Sequence, residues 1–238
     1  MQVVVKICFL FFHDILYIML NQLKSWHTTA IIWDVDGTLV DLNRTYYKFI
    51  TTHPQFKNYF EGLKYKDLDK ALPINHVYGA MELKTHPTFG VELDKVFCAS
   101  EDYYFDRKFY KGTEDVLKQL DKMGYQQFIL SAGFNIEKKL KLLHQLFADM
   151  PFIHIEAVEH DKNGMEQGNT KEAKIVELCK KYNLEQSEVV LVDDRIYNIY
   201  SALKAGIRAI RFRSEFTTPN PPDLKDIPEV FDISEFIN

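Results

Sequence analysis

The sequence predicts an α/β fold in which a mostly parallel sheet is covered by helices on both faces. Short apolar runs rich in β-branched residues alternate along the chain with amphipathic helical patterns, and turn residues separate them. This alternation implies right-handed crossovers between parallel strands. The chain has 238 residues, 46 % hydrophobic and 26 % charged, which is typical of a globular protein and sufficient for one domain or one domain with an insertion.

The elements follow in order along the chain. Strands are predicted for the apolar runs AIIWDV (30–35), QFIL (127–130), PFIHIEAV (151–158), VVLV (189–192) and IRAIRF (207–212). Helices are predicted for DVLKQLDKM (115–123), NIEKKLKLLHQLF (135–147), TKEAKIVELCKKY (170–182) and YNIYSALKAG (197–206). Residues 43 to about 110 are expected to form helices and loops, and 217–228, with four prolines, a loop. VFDISEF (230–236) is expected to add at most a short element.

Polar side chains follow three of the predicted strands. Asp34 and Asp36 end the first, Ser131 the second, and the pair Asp193-Asp194 the fourth. Ligands of parallel α/β sheets bind beyond the carboxyl ends of the strands. One carboxylate there can attack as a nucleophile while a second moves a proton, and a further acidic pair can complete a Mg²⁺ site. The alternative for an isolated Asp-x-Asp motif is an acidic turn that only caps a helix.

The complete motifs favour a catalytic site that binds Mg²⁺ over an acidic turn that only caps a helix. WDVDGTLVD (33–41) resembles the first motif of the haloacid dehalogenase superfamily, and FILSAG (128–133) and LVDDRIYN (191–198) resemble its second and fourth. Lys171 precedes Asp194 at the interval usual for the family's lysine. The resemblance extends from about residue 30 to 212, and it implies a Rossmann-like core of the phosphatase-like branch with a C1-type helical cap.

The resemblance also implies roles for individual residues. Asp34 is expected to attack phosphorus and form an aspartyl-phosphate, while Asp36 protonates the leaving alcohol and then activates water. Ser131 and Lys171 are expected to hold the phosphoryl oxygens. Mg²⁺ is the implied cofactor, held by the side chains of Asp34 and Asp194 and the backbone carbonyl of Asp36, with Asp193 as an outer or alternative ligand. The substrate-binding residues are expected to be Gly37, Thr38, Ala132 and Gly133.

Two positions allow more than one interpretation: the lysine that would hold the phosphate, and Asn198. Lys171 opens a predicted helix, where the macrodipole disfavours a cation, so a bound phosphate would explain it better than helix stability does. Lys174, one turn later, is the alternative, and it can equally lie on a solvated face. Many relatives carry an acid four residues after the metal aspartate, whereas this chain has Asn198, whose amide can still orient a ligand.

Asp36 points to phosphate esters, because members that cleave carbon–halogen bonds typically lack an acid there. The expected activity is Mg²⁺-dependent hydrolysis of a small phosphomonoester. A phosphomutase or phosphotransferase of the same superfamily and a non-catalytic binding or regulatory protein are the alternatives. The expected partner is a small phosphorylated metabolite, and the oligomeric state is left open.

Domain limits follow from the long segment after the first strand. The segment is far longer than a compact connection needs, so a core is predicted at 29–42 and 108–238 with residues 43–107 inserted. The family resemblance implies that this insertion is a helical cap that closes over the site. The aromatics of this insertion can form the cap's own core or contact a ring-bearing substrate. Residues 1–28 form an apolar N-terminal extension.

Charge and cysteine usage restrict location and partners. The net charge of −5 does not suit a non-specific nucleic-acid binder. The three cysteines have no CxxC spacing, which argues against a disulfide scaffold and for a reducing, cytoplasmic compartment. Within residues 1–20, Lys6, His13 and Asp14 interrupt the apolar run, so a membrane span is disfavoured. That segment is interpreted as a packed element, as an extension upstream of a start at Met19, or as a membrane anchor.

Overall fold

A six-stranded parallel sheet forms the centre of the protein. The computed structural model describes residues 20–68, 93, 95–133, 135–159, 171–214 and 219–233. The strands are β1 Ala30–Trp33, β2 Gln126–Gly133, β3 Ile153–Glu159, β4 Val189–Asp193, β5 Arg208–Phe212 and β6 Glu229–Val230. Their order is β3-β2-β1-β4-β5-β6, and every neighbouring pair is parallel. The predicted α/β fold is therefore confirmed.

Helices connect the strands close to where the sequence predicts them. They are α1 Leu42–Thr52, α2 Glu101–Tyr104, α3 Thr113–Lys122, α4 Ile136–Leu146, α5 Lys171–Lys181 and α6 Ile196–Lys204. Short 3₁₀ turns occupy Tyr65–Asp67, Gln186–Glu188 and Pro222–Leu224, the last of them inside the segment predicted as a loop.

Two strand ends beside predicted site residues differ from the prediction, that of β1 for a local reason and that of β2 because of its pairing with a neighbouring strand. β1 ends at Trp33, because the chain turns at Val35, whose carbonyl accepts from the amides of Leu39 and Val40. β2 continues to Gly133, since Ser131 to Gly133 pair with residues 157–159 of β3. Ser131 consequently lies within a strand and has a well-defined direction.

Alternate side chains of the sheet pack into two separate layers, as the period of a strand requires. On one face Trp33, Ile129 and Val192 pack against apolar residues of α3 and α4. On the other, Ile32 and Leu191 pack against α5 and α6. Burial on both faces explains the continuous apolar runs in the sequence.

A third apolar layer lies in the inserted segment. We call it the aromatic cluster; its buried members are Tyr46, Phe49, Ile50, Phe56, Phe60, Leu68, Leu93, Phe97, Tyr104 and Leu142. All except Leu142, which belongs to α4, come from residues 46–104. The chain leaves and re-enters the core side by side, since Val40 and Phe109 form an antiparallel bridge and the Asp41 amide donates to the Lys108 carbonyl at 3.0 Å.

The described end of the N-terminal extension packs on the core. Residues 20–25 are helical, Leu23 is fully buried, and Arg208 donates to the Trp26 carbonyl. The interpretations offered for residues 1–19 concern a segment outside the described residues.

Across the described part of the chain, no helix is both long and apolar enough to cross a membrane.

Candidate active site

The predicted site residues meet where the strand order reverses. β1 lies between β2 and β4, so Asp34, Ser131 and the Asp193-Asp194 pair lie at the carboxyl ends of three adjacent strands. This is the place at which doubly wound sheets bind ligands. Asp34 directly follows β1, and its amide donates to the Val192 carbonyl at 2.9 Å, which ties the residue to β4.

Lys171 lies between two buried carboxylates. Its Nζ atom is 2.7 Å from Asp34 Oδ1 and 2.6 Å from Asp193 Oδ2, and its side chain is fully buried. Burial raises the pKa of the Asp34 carboxyl to about 6, against the opposing charge of Lys171 and with a further increase from Asp193. Lys174, the alternative, forms ion pairs with Glu156 and Glu177. The ion pairs with Asp34 and Asp193 explain why a lysine is tolerated at this helix start.

Asp193 is held in place by donors on both of its oxygens. Oδ1 accepts from the Arg195 amide at 2.8 Å, Oδ2 accepts from Lys171, and the Asn198 amide group donates to both. Asn198 therefore orients the Asp193 carboxylate. With its acceptor sites used in this way, Asp193 is arranged to hold Lys171.

Asp194 is in a different environment. Its Oδ2 lies 3.2 Å from Arg195 Nε, while its buried Oδ1 has no hydrogen-bond partner among the described residues. Burial raises the pKa of Asp194 to about 7, with Arg195 opposing and Asp193 adding to the rise. Gly37 packs directly on this carboxylate: its φ is +91°, and a Cβ there would be 2.7 Å from Asp194 Oδ2.

The acids suit a small divalent cation. Asp34, Asp193 and Asp194 each offer a carboxylate oxygen, and these oxygens lie within 4.8 Å of one another. A buried carboxylate oxygen can only accept, so the unpartnered Oδ1 of Asp194 is suited to a cation. Oxygen donors of this kind fit Mg²⁺.

Asp36 is surrounded by two buried cations. Arg107 Nη1 is 2.8 Å from Oδ1 and 3.0 Å from Oδ2, and Lys139 Nζ donates to Oδ2. Burial by itself would raise the pKa of Asp36, but the charges of Arg107 and Lys139 outweigh it and lower that pKa. Burial also lowers the pKa of Lys139, against the attraction of Asp36.

A small cavity of about 120 Å³ lies beside these groups and is lined by Asp34 and Asp36 but not by Asp193 or Asp194. Among the described residues its polar wall includes Asp34, Asp36 and Ser131, and its other wall is formed by Leu42, Tyr46, Phe97, Cys98 and Tyr104. Ser131 is 1 % exposed, and its Oγ has no hydrogen-bond partner in the described structure. This hydroxyl is therefore free to bind a ligand oxygen.

The four predicted substrate-binding residues separate into two pairs. Ala132 and Gly133 line the cavity. Gly37 and Thr38 lie beside the acids instead: Gly37 contacts Asp194, and Thr38 Oγ1 is 3.5 Å from Asp34 Oδ2.

Sequence reasoning missed three cations of the site, Arg107, Lys139 and Arg195. Arg195 directly follows the acidic pair, which was an available signal. Lys139 belongs to a helix with several lysines, and Arg107 lies 71 residues from Asp36. For these two the sequence offered no comparable signal.

Comparisons with known proteins agree with the fold. A family model described as haloacid dehalogenase-like hydrolase matches residues 28–206. No curated protein sequence matched the chain. Among solved structures, a haloacid dehalogenase-like hydrolase from Streptococcus pneumoniae is 17 % identical, with a TM-score of 0.56 over 79 % of this chain and 85 % of its own.

Two further structures differ in described activity. A predicted phosphatase from Clostridium acetobutylicum is 19 % identical (TM-score 0.57), and a dehalogenase in an intermediate complex is 16 % identical (TM-score 0.58). Each covers 87 % of this chain and 95 % of its own. At such low identity these similarities establish the fold alone.

Proposed function

The chain belongs to the haloacid dehalogenase-like hydrolases, and we propose that it is a Mg²⁺-dependent phosphatase that hydrolyses a small phosphomonoester through Asp34. One observation carries the proposal: two carboxylates, Asp34 and Asp36, line the same small cavity beside the unpartnered hydroxyl of Ser131. That set contains a nucleophile, a proton carrier and a donor for a phosphoryl oxygen.

The proposed reaction has two steps. An Asp34 oxygen forms a bond to phosphorus as the ester P–O bond breaks, and the leaving alcohol takes a proton from the Asp36 carboxyl. Water then attacks the aspartyl-phosphate and gives a proton to Asp36, which releases orthophosphate and restores both carboxyl groups. Throughout, Lys171 and Ser131 hold the phosphoryl oxygens, while Asp193 keeps Lys171 in place.

The residues proposed to hold Mg²⁺ are Asp34 and Asp194 through their side chains and Asp36 through its backbone carbonyl. Asp193 is proposed to remain outside the metal's ligands, because its oxygens already accept from Lys171, Asn198 and the Arg195 amide. When bound, the cation neutralises negative charge on the transferring phosphoryl group.

The charge of the site supports a phosphate dianion as the substrate group. Among the described residues around the cavity, four carboxylates face four cations: Asp34, Asp36, Asp193 and Asp194 against Arg107, Lys139, Lys171 and Arg195. With Asp36 protonated, as the first step requires, and Mg²⁺ bound, this set carries three positive charges. A phosphomonoester dianion offsets two of them, and its negative charge favours the protonated form of Asp36.

Asp36 favours a phosphatase over a dehalogenase. A halide leaves as an anion and needs no proton, whereas an alkoxide is a poor leaving group and gains from general acid catalysis. A proton carrier two residues from the nucleophile is therefore useful for ester cleavage and has no role in halide displacement.

Residues 43–107 are proposed to act as the cap. Their aromatic cluster provides one wall of the cavity, through Tyr46, Phe97 and Tyr104. A cavity of about 120 Å³ favours a small phosphate ester over a protein or nucleic-acid substrate.

The proposal is tested by hydrolysis of p-nitrophenyl phosphate with Mg²⁺ and with EDTA. We expect metal-dependent release of phosphate, which Asp34→Asn abolishes. Asp41→Asn is the matched control, because Asp41 belongs to the same motif but caps α1 outside the cavity. Release of chloride from a 2-chloroalkanoic acid, or phosphate release that survives Asp34→Asn, would overturn the proposal. Capture of BeF₃⁻ at Asp34 without hydrolysis would indicate a phosphomutase or a cap that does not accept p-nitrophenyl phosphate.

A further inference from the structure

We propose that Arg107 is a positioning residue for Asp36, one that connects the proton-carrying carboxyl group to the aromatic cluster of the cap. The inference rests on the proposed function in assigning Asp36 to proton transfer. Its structural part, that Arg107 determines where the Asp36 carboxylate lies, stands on the contacts of Arg107 alone.

Nη1 of Arg107 donates a hydrogen bond to Oδ2 of Asp36 and is in ion-pair contact with Oδ1. Nη1 lies 2.8 Å from one oxygen and 3.0 Å from the other, and the Arg107 side chain is 5 % exposed. A cation that contacts both oxygens and donates to one of them opposes rotation of the carboxylate. This restraint matters because the Asp36 side chain is 20 % exposed and could otherwise turn towards water.

The other contacts of the guanidinium group belong to the aromatic cluster. Its Cζ lies 4.5 Å from the centre of the Tyr104 ring and 5.7 Å from that of Phe97. Both distances are within the range of cation–π attraction. The guanidinium group therefore contacts both the aromatic cluster and the Asp36 carboxylate.

The position of Arg107 in the chain strengthens this connection. It precedes Lys108 and Phe109, which pair with Asp41 and Val40 where the chain re-enters the core. A shift of the aromatic cluster relative to the sheet would therefore move the guanidinium group, and with it the Asp36 carboxylate.

Helix α4 provides a second support and a matched control. Asn135 caps this helix by accepting from the Lys138 amide, and the first turn presents Lys138 and Lys139 in succession. Lys139 pairs with Asp36. Lys138 instead donates to the Cys98 carbonyl and lies 4.5 Å from the Tyr104 ring. Within the described structure, Lys138 therefore contacts the same aromatic ring as Arg107 but forms no ion pair with Asp36.

The kinetic test is a double-mutant cycle between Arg107→Met and Asp36→Asn. Hydrolysis of p-nitrophenyl phosphate is measured with saturating Mg²⁺. We expect Arg107→Met alone to lower kcat by about 10-fold to 100-fold. KM and the inhibition constant for orthophosphate should rise by less than this, because Arg107 also lines the cavity and one cation is lost. In the Asp36→Asn background the same substitution should have no further effect, because Arg107 acts through the missing carboxylate.

The control substitution is Lys138→Met. It should change kcat by the same factor in the wild-type and in the Asp36→Asn backgrounds. Arg107→Lys should recover part of the lost kcat, because it restores a charge but not the ring stacking. The proposal would be overturned if Arg107→Met lowered kcat by the same factor in the wild-type and Asp36→Asn backgrounds. It would also be overturned if Arg107→Met lowered kcat/KM only by raising KM.

A crystal structure of metal-free Arg107→Met provides a readout independent of activity. The Asp36 carboxylate should be rotated from its wild-type orientation in this variant and unchanged in Lys138→Met. An unchanged orientation in both variants would overturn the positioning role. Absence of wild-type turnover would count against the proposed phosphatase function, and the crystal structures would still decide the role of Arg107.

Discussion

Gly37 offers a direct test of the geometry around Asp194. A Cβ at this position would lie 2.7 Å from Asp194 Oδ2 and 3.0 Å from its Cγ, and the backbone has a φ of +91°. Gly37→Ala therefore combines two perturbations, an unfavourable backbone conformation and a steric clash with a proposed metal ligand.

The two effects have different sizes and different readouts. An L-residue at this φ costs about 1–2 kcal/mol, of which about 0.4–1 kcal/mol is offset by the lower entropy of the unfolded alanine variant. The net loss of about 1 kcal/mol corresponds to a fall in Tm of about 2–4 °C for a domain of this size. Displacing Asp194 should in addition weaken Mg²⁺ binding by about 10-fold to 100-fold, the range found when the support of a metal ligand is lost.

Gly124→Ala is the matched control. Its φ is +88°, and a Cβ there would meet nothing within 4 Å, so it has the backbone strain without the clash. The measurements are thermal denaturation and calorimetric titration with Mg²⁺. Gly37→Ala should lose more stability than Gly124→Ala, because the clash adds to the backbone strain, and only Gly37→Ala should lose affinity for Mg²⁺. Equal Mg²⁺ affinities would refute the inferred contact between Gly37 and Asp194.

Three further predictions concern the buried polar groups. Ser131→Ala should change the free energy of unfolding by less than about 0.5 kcal/mol but lower kcat/KM by about 100-fold, because its hydroxyl has no partner in the described structure. A much lower free energy of unfolding, measured by chemical denaturation, would contradict this. Lys171→Met should lower the free energy of unfolding by about 3–5 kcal/mol, since it leaves two buried carboxylates without their cation. Lys174→Met should lower it by less than about 1 kcal/mol. Equal decreases for the two variants in urea denaturation would refute the assignment of Lys171 as the lysine of the site. Asp34 and Asp194 have pKa values raised from 3.8 to about 6 and about 7, so in the metal-free protein they bind protons more readily folded than unfolded. Its free energy of unfolding in EDTA should therefore fall as pH rises from about 4 to about 7, less steeply in Asp194→Asn, and a rise over that range would contradict the shifts.

The fold could be predicted in considerable detail because its signals are local. Strands buried on both faces require continuous apolar runs, and helices between them require a 3.6-residue period. The less accurate boundaries are those set by partners distant in sequence. β2 continues through Ser131 because β3 pairs with it there, and no pattern within QFILSAG indicates this.

The candidate site divides in the same way. Asp34, Ser131 and Asp194 could be named from the sequence, because each follows an apolar strand and parallel strands bring their carboxyl ends to one edge of the sheet. The different environments of Asp193 and Asp194 could not, since they depend on donors from α5 and α6 and on the close approach of Gly37.

The sequence by itself determined the order of strands and helices along the chain, because this order follows from short-range periodicity. It also determined which polar residues lie at the strand ends, because parallel strands bring their carboxyl ends to one edge of the sheet. Only the tertiary structure decided which cations surround Asp36. Arg107 comes from the returning end of the insertion and Lys139 from α4, 71 and 103 residues from Asp36. Their convergence depends on how the inserted segment and α4 pack over the sheet, and no local pattern encodes that packing.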